Sequence, residues 1–273
     1  MAICAMMCGF DTWSEITLFA QEREPWFRRW LSLPGGIPSH DTFNRIFATL
    51  PPASLKSIFQ AWIGDIMGDD KLVGQLAVDG KALRATAKGR GANAVHMVNV
   101  CSTELGMCVG QQKVADKSNE ITAIPELLQL LELKGCLVSI DAMGTQVKIA
   151  DTILKKSGDY LLAVKDNQPS LNTEVKEQFQ AYWDKNGTDV SGPGFTEQFD
   201  SEHGRKEHRR CWVLMVDESM PVCQQWKAKT IIAVQAERIE NGKGYDFVRF
   251  YISSRALDAT SALKATRAHW SVE

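Results

Sequence analysis

Two short apolar runs each lead into an aspartate, and they constrain the fold more than any other feature of the chain. They read Leu76-Ala77-Val78-Asp79-Gly80 and Leu137-Val138-Ser139-Ile140-Asp141-Ala142. Brief runs that are apolar at successive positions are those of strands buried on both faces. Such strands need covering layers, and the intervening sequence supplies them. Strand-like runs at Val95 to Cys101 and Met107 to Val114 are followed by a helical stretch from Glu120 to Leu131, with Ser118 or Asn119 as its cap. After Asp141 come a helical stretch from Thr145 to Ser157 and a strand from Tyr160 to Val164. Three strands, a helix, a strand, a helix and a strand imply a mixed α/β sheet covered by helices.

The flanks differ from this centre. Residues 1 to about 67 carry helical spacing, with Trp13, Ile16, Leu18 and Phe19 in one segment. The turn-rich Leu33 to Pro38 breaks it. Ser39 or Asp41 then caps a helix through Phe43, Ile46, Phe47 and Leu50 that Pro51-Pro52 stops. A further helix carries Leu55, Ile58, Phe59, Trp62, Ile63 and Ile66 on one side and ends at Gly68-Asp69-Asp70. Beyond Val164, a helix from Ser170 to Trp183 precedes four strands: Phe195 to Phe199, Glu207 to Val216, Thr230 to Ile239 and Tyr245 to Ser253. Asn241-Gly242 is a hairpin turn signal. Asp258 caps a last helix reaching Glu273.

Composition excludes some classes. The charged fraction of 23% and the hydrophobic fraction of 44% are those of an ordinary globular protein. No apolar run approaches the roughly 18 residues that suggest a membrane span, and the apolar start at Met1 to Phe10 lacks the marks of a signal peptide. The expected location is cytoplasmic, with no membrane partner. The seven cysteines have no C-x-x-C spacing, so they read as buried reduced thiols. A net charge of -2 means that any nucleic-acid contact must come from local clusters of cations.

Strand ends are where open sheets collect active sites, because the backbone there is rigid and loops give access. Two aspartates ending neighbouring strands would make a hard, oxygen-only pocket of the kind Mg²⁺ and Mn²⁺ prefer. Alternatively, each aspartate merely ends a strand and starts a turn. A third carboxylate would come from a helix packed on the sheet. Glu273 is the candidate, with His269 one helical turn before it and Leu263 and Trp270 as anchors. It could equally be a surface residue of an amphipathic helix. Cations gather at His203, Arg205, Lys206, His208, Arg209 and Arg210. They read either as phosphate contacts or as a charged hairpin edge. Lys81, Arg84, Lys88 and Arg90 follow the first aspartate, where a flexible charged loop is an equal reading. Lys165, Asn167 and Gln168 leave a strand near the site, to meet phosphate or to cap the next helix.

Beyond these local readings, the chain resembles the DDE transposases of bacterial insertion sequences, in particular the H-repeat-associated branch found with Rhs elements. The matching stretches are Ala77-Val78-Asp79-Gly80-Lys81, Lys117 to Leu128, Asp141-Ala142-Met143-Gly144, Gly158 to Lys165, His203-Gly204-Arg205, Tyr251 to Ser254, and Arg267-Ala268-His269-Trp270-Ser271-Val272-Glu273. The resemblance implies an RNase H-like α/β fold: a mixed sheet with flanking helices, a β-rich insertion and an N-terminal helical region. Residues 1–70 would be the helical region and 71–169 the first part of the catalytic core. Residues 170–255 would be a helix plus the insertion, and 256–273 the start of the helix bearing the third acid. By the same resemblance the chain is shortened at both ends.

The resemblance further implies that Asp79, Asp141 and Glu273 bind two Mg²⁺ ions, with Mn²⁺ as an alternative, for DNA cleavage and strand transfer. DNA contacts are expected from His203, Arg205, Arg209, Lys165, Asn167, Lys81, Arg267 and His269. Double-stranded DNA, both transposon ends and target, would be the partner, met by a homodimer at the nucleoid. Activity is expected to be weak or absent in a shortened chain whose third acid sits on a helix end. The rival readings are a non-catalytic DNA-binding remnant, an RNase H-like nuclease that hydrolyses without joining, and an unrelated metal phosphatase built on the two aspartates.

Overall fold

Two hydroxyl residues, Thr12 and Ser39, cap two of the helices in the N-terminal region. The structure, a computed structural model, describes residues 1–67, 74–83, 95–114, 120–188, 190–202, 205–240 and 243–270. Its first compact unit is Met1–Ile66, with α1 (Ala2–Met7), α2 (Trp13–Glu22), α3 (Glu24–Phe27), α4 (His40–Thr49) and α5 (Pro52–Met67). Thr12 accepts a hydrogen bond from the Glu15 amide and Glu15 accepts one from the Thr12 amide, a reciprocal cap on α2. Ser39, not Asp41, caps α4 through the Thr42 amide. A small core of Ala2, Ala5, Ile16 and Phe43 has Trp13, Phe19 and Phe47 packed against it. Leu18, read from the sequence as part of the apolar set of α2, is exposed, as is Ile58 of α5.

The second unit, Met67–Glu273, contains β1 (Gly74–Leu83), β2 (Val95–Ser102), β3 (Met107–Lys113), α6 (Glu120–Gln129), β4 (Cys136–Ile140), α7 (Val147–Lys155) and β5 (Asp159–Val164). It continues with α8 (Pro169–Asn186), β6 (Phe195–Glu202), β7 (Arg205–Met215), α9 (Pro221–Gln225), β8 (Thr230–Glu240), β9 (Lys243–Ser253) and α10 (Ala259–His269). All nine strands form one sheet in the order β3-β2-β1-β4-β5-β9-β8-β7-β6. β1, β4 and β5 run parallel, and β2 is antiparallel to both of its neighbours. This five-stranded part is the RNase H-like arrangement expected from the sequence. The insertion extends the same sheet: β9 pairs antiparallel with β5, and β8, β7 and β6 follow outward.

Strand alternation sorts the side chains onto two faces. On one face Leu76, Val78, Val138, Ile140 and Leu162 pack with Ile124, Leu127 and Leu128 of α6, Ile149 and Ile153 of α7, and Phe179 of α8. Each fully buried leucine or isoleucine there contributes about 1.5–3 kcal/mol. On the other face Leu137, Leu161, Val213 and Ile232 meet Ala262, Leu263 and Ala265 of α10. The alanines of α10 let the helix lie close to the strands.

Several sequence expectations are corrected. β1 does not end at Asp79 but continues to Leu83, because β2 pairs with it throughout, Asp79 opposite Asn99. α9 was not foreseen. Cys136, Cys211 and Cys223 are buried, but Cys8 is exposed and Cys4, Cys101 and Cys108 are half-buried; all seven are free thiols. Asp258 caps α10 through the Ser261 amide, as expected. The Ser118 or Asn119 cap, the Gly68-Asp69-Asp70 stop, the Arg84, Lys88 and Arg90 loop, and the Asn241-Gly242 turn lie outside the described residues. Among the described residues no helix is long and apolar enough to cross a membrane.

Candidate active site

The parallel ladder between β1 and β4 ends at Val78 opposite Ile140. Asp79 and Asp141 are therefore the next residue on each of two adjacent strands. In-register partners of parallel strands share a face, so both aspartates start from the face that α10 covers. Both are half-buried. β2 holds the backbone of Asp79 through the Asn99 pairing. Asp141 caps the 3₁₀ turn Ala142–Gly144, one carboxylate oxygen accepting from the Gly144 amide at 3.3 Å. That bond is long, and it satisfies the turn while engaging only one oxygen of the carboxylate.

A third acid stands close by, one that sequence reasoning did not assign to the site. Glu120 opens α6, in the layer on the opposite face of the sheet. A Cβ built on Gly80 would lie 2.2–2.3 Å from the Glu120 carboxyl atoms. The glycine beside Asp79 thus leaves the space that the Glu120 carboxylate fills. Burial raises the Glu120 pKa first, and the negative charges of Asp141 and Asp79 raise it further. Among the described residues no ion pair reaches Asp79, Asp141 or Glu120. Uncompensated acid at one sheet end favours a divalent cation, and paired carboxylates with water completing the shell are how Mg²⁺ is commonly held. No three histidine, cysteine or acidic residues among the described ones are close enough to grip a metal on their own. Glu273 lies outside the described residues.

Cations flank Asp141 on one side. A cleft of about 150 Å³ is lined by Asp141, Lys165, Asp166, Lys176, Arg249 and Trp270, with Lys176 Nζ 3.9 Å from the Asp166 carboxylate. Lys165 was expected there; Lys176 and Arg249 were not. The Arg249 guanidinium lies 5.0 Å from the Trp270 ring centre and 4.8 Å from that of Phe247, a geometry that holds the charge in place. Lys81 is exposed and, two residues beyond Asp79, shares its face.

The remaining sequence candidates sit otherwise. His269 is only 7% exposed, and its Nδ1 lies 3.1 Å from Ser139 Oγ, so it is withdrawn as a DNA contact. Burial lowers its pKa, against the pull of Asp141 and Asp79. Asn167 is exposed, and it donates to the Ala142 carbonyl at 2.6 Å, bracing the turn after Asp141. Arg209 is 15% exposed in its side chain and pairs with Asp200 at 2.7 Å and Glu207 at 2.6 Å. Arg267 shares Asp200 at 3.1 Å but is more open. His208 stacks on Phe199 and bonds Glu197, and Arg210 pairs with Glu237. Acids thus pair with three members of the basic cluster seen in the sequence, His208, Arg209 and Arg210. His203 and the Arg205 side chain lie outside the described residues.

The family model for the transposase DDE domain matches residues 74–273, and that for the DDE_Tnp_1-associated region matches residues 1–63. This chain belongs to the DDE transposase family. The H repeat-associated putative transposase YhhI of Escherichia coli K12 is 38% identical over all of this transposase and 73% of its own length. The putative transposase YncI of Escherichia coli O157:H7 is 38% identical over the whole chain and 70% of its own. An uncharacterized protein in the dhlA 3' region of Xanthobacter autotrophicus is 36% identical over 94% of this transposase and 86% of its own length. A piggyBac transposase synaptic complex with hairpin DNA aligns at 11% identity over 94% of this chain and 55% of its own, with a TM-score of 0.43, a likeness that carries no weight beside the sequence match.

Lys176, Arg249 and Glu120 of this transposase escaped sequence reasoning for one reason. Each is far along the chain from the aspartates, and only the sheet order brings it near. Gly80 was the one available signal for Glu120, since a non-turn glycine inside a strand marks a close approach.

Proposed function

We propose that this transposase cuts a phosphodiester at the end of an insertion element and joins the freed 3′ end to target DNA. The observation that carries the proposal is the placement of Asp79 and Asp141 directly after the last Val78–Ile140 ladder pair, beside a cationic cleft. Asp79, Asp141 and Glu273 would hold Mg²⁺, with Mn²⁺ as a substitute; when bound, the metal pair supplies charge stabilisation to the attacking and leaving oxygens. The chain's own residues do the rest. Strand pairing on β1 and the capped turn after β4 hold the two aspartates in fixed positions, as metal chemistry requires within about 0.5 Å. Lys81, Lys165, Lys176 and Arg249 neutralise phosphates and hold the strand in register. In this reading the protein works in the cytoplasm on nucleoid DNA as a homodimer, because two element ends must be brought together.

Incubation of the chain with labelled element-end DNA, target plasmid and Mg²⁺ tests this. Nicking at the element end followed by joined product supports transposition. Nicking without joining supports the RNase H-like nuclease reading. Binding with neither, under conditions where Asp79→Asn changes nothing, leaves a non-catalytic DNA-binding protein.

A further inference from the structure

Buried between the sheet and α10 is a short chain of polar groups that the proposed chemistry does not use. Gln75, Ser139 and His269 are 6%, 1% and 7% exposed. The Gln75 amide nitrogen donates to Ser139 Oγ at 2.8 Å and to the Ala265 carbonyl at 2.8 Å, which employs both of its hydrogens. Ser139 Oγ faces His269 Nδ1 at 3.1 Å, and its other acceptor, the Leu76 carbonyl, is at 3.5 Å. Having accepted from Gln75, the hydroxyl can still share a hydrogen bond with Nδ1. One network thus links β1, β4 and α10, two of its members sitting on the strands that carry the aspartates.

The spacing is what gives this meaning. Gln75 precedes Asp79 by four residues and Ser139 precedes Asp141 by two, each pair on one face of its strand. His269 precedes Glu273 by four residues in the sequence. The two strand members of the network therefore stand a short, same-face step before the aspartates. Apolar contact alone, here alanines against Leu137 and Leu161, would leave a helix free to settle in neighbouring registers. A slip of one residue rotates a helix by about 100°. A slip would also strand buried polar groups without partners, which is costly for the fold.

We propose that Gln75, Ser139 and His269 are positioning residues that lock the register of α10 on the two aspartate strands and so assemble the metal site. This rests on the active-site reading above. Replacing a buried polar network by apolar groups is often neutral or stabilising for the fold, so fold and site are expected to respond differently. The experiment is Mn²⁺ binding by the full chain, followed by electron paramagnetic resonance, alongside thermal melting. His269→Phe and Gln75→Leu each leave a buried partner unmatched, so they should lower the melting temperature modestly with the chain still folded. They should weaken Mn²⁺ binding about 10- to 100-fold, far more than that loss of stability accounts for. His269→Asn, which can still pair with Ser139 Oγ, should recover most of the affinity. Ser139→Ala gives a second route should a larger substitution unfold the chain. Unchanged Mn²⁺ affinity in stably folded His269→Phe and Gln75→Leu overturns the proposal, as does affinity that falls only in step with melting temperature. If the unaltered chain binds no Mn²⁺, or Asp79→Asn and Asp141→Asn leave binding intact, the metal-site reading itself is wrong and the register lock falls with it.

Discussion

Two regions of the nine-stranded sheet treat charge in opposite ways. Around β7, cations are matched: Arg209 with Asp200 and Glu207, Arg210 with Glu237, His208 with Glu197, and Arg267 of α10 with Asp200. At the end of the β1–β4 ladder, three acids have no ion pair among the described residues, and burial, with the charges of Asp141 and Asp79 adding to it, raises the Glu120 pKa. Paired charge holds strands and helices together, whereas unpaired charge of one sign is left for something not part of the chain. The contrast shows that the conspicuous basic run in the sequence is the less informative of the two regions. In the proposed reading, the cations that meet DNA are those lining the cleft beside Asp141.

That contrast can be broken or sharpened by experiment. The largest effect is expected at the acids: Asp79→Asn or Asp141→Asn should slow element-end cleavage by about 10³-fold, on the order of 4 kcal/mol of transition-state stabilisation. The fold should survive, since among the described residues neither carboxylate is in an ion pair and the amide oxygen introduced at position 141 can still accept from the Gly144 amide, and circular dichroism melts check this. Arg209→Ala comes next. It leaves the side chain of Glu207, 8% exposed, without this partner, and should cost about 3 kcal/mol in denaturant unfolding. The salt dependence of DNA binding should remain unchanged. If that slope falls while stability holds, Arg209 touches phosphate and the contrast between the regions collapses.

Arg249→Ala should do the reverse. Stability should move by less than about 1 kcal/mol, while the slope of log affinity against log salt should shrink by about one. Filter binding at several salt concentrations reads it directly. The smallest effect is expected at Glu120. Its folded pKa is raised, so its ionised form opposes folding. That penalty is absent below the ordinary carboxylate range and develops as pH rises through the folded pKa. Glu120→Gln should therefore raise the melting temperature at neutral pH, with a gain that vanishes on acidification. A gain that persists in acid would remove the electrostatic account of this residue.

Much of the core was legible in the sequence because its signals are local. Apolar runs gave β1, β4 and β5, and Asp258 announced α10 by a side-chain cap that needs only a backbone amide three residues on. The two aspartates were legible because they follow those runs. The end of β1 was not, since what carries it past Asp79 is pairing with β2, a non-local fact. His269 was misjudged for a related reason. A histidine after an arginine near a helix end suggests a surface, and only the packing of α10 over Ser139 reveals it as interior. Arg209 looked free because its partner Asp200 lies on another strand.

The order β9-β8-β7-β6 has a kinetic consequence. On leaving α8 the chain travels first to the outer margin of the sheet and then works its way inward, one strand at a time, until β9 meets β5. Only then does it turn into α10. Closing such sequence-distant pairings is slow, so the helix that roofs the aspartates should dock late, behind a zipper of hairpins. Until it does, the carboxylate end of β1 and β4 stays open to solvent, and a nascent chain would hold its two acids while still lacking the means to organise them.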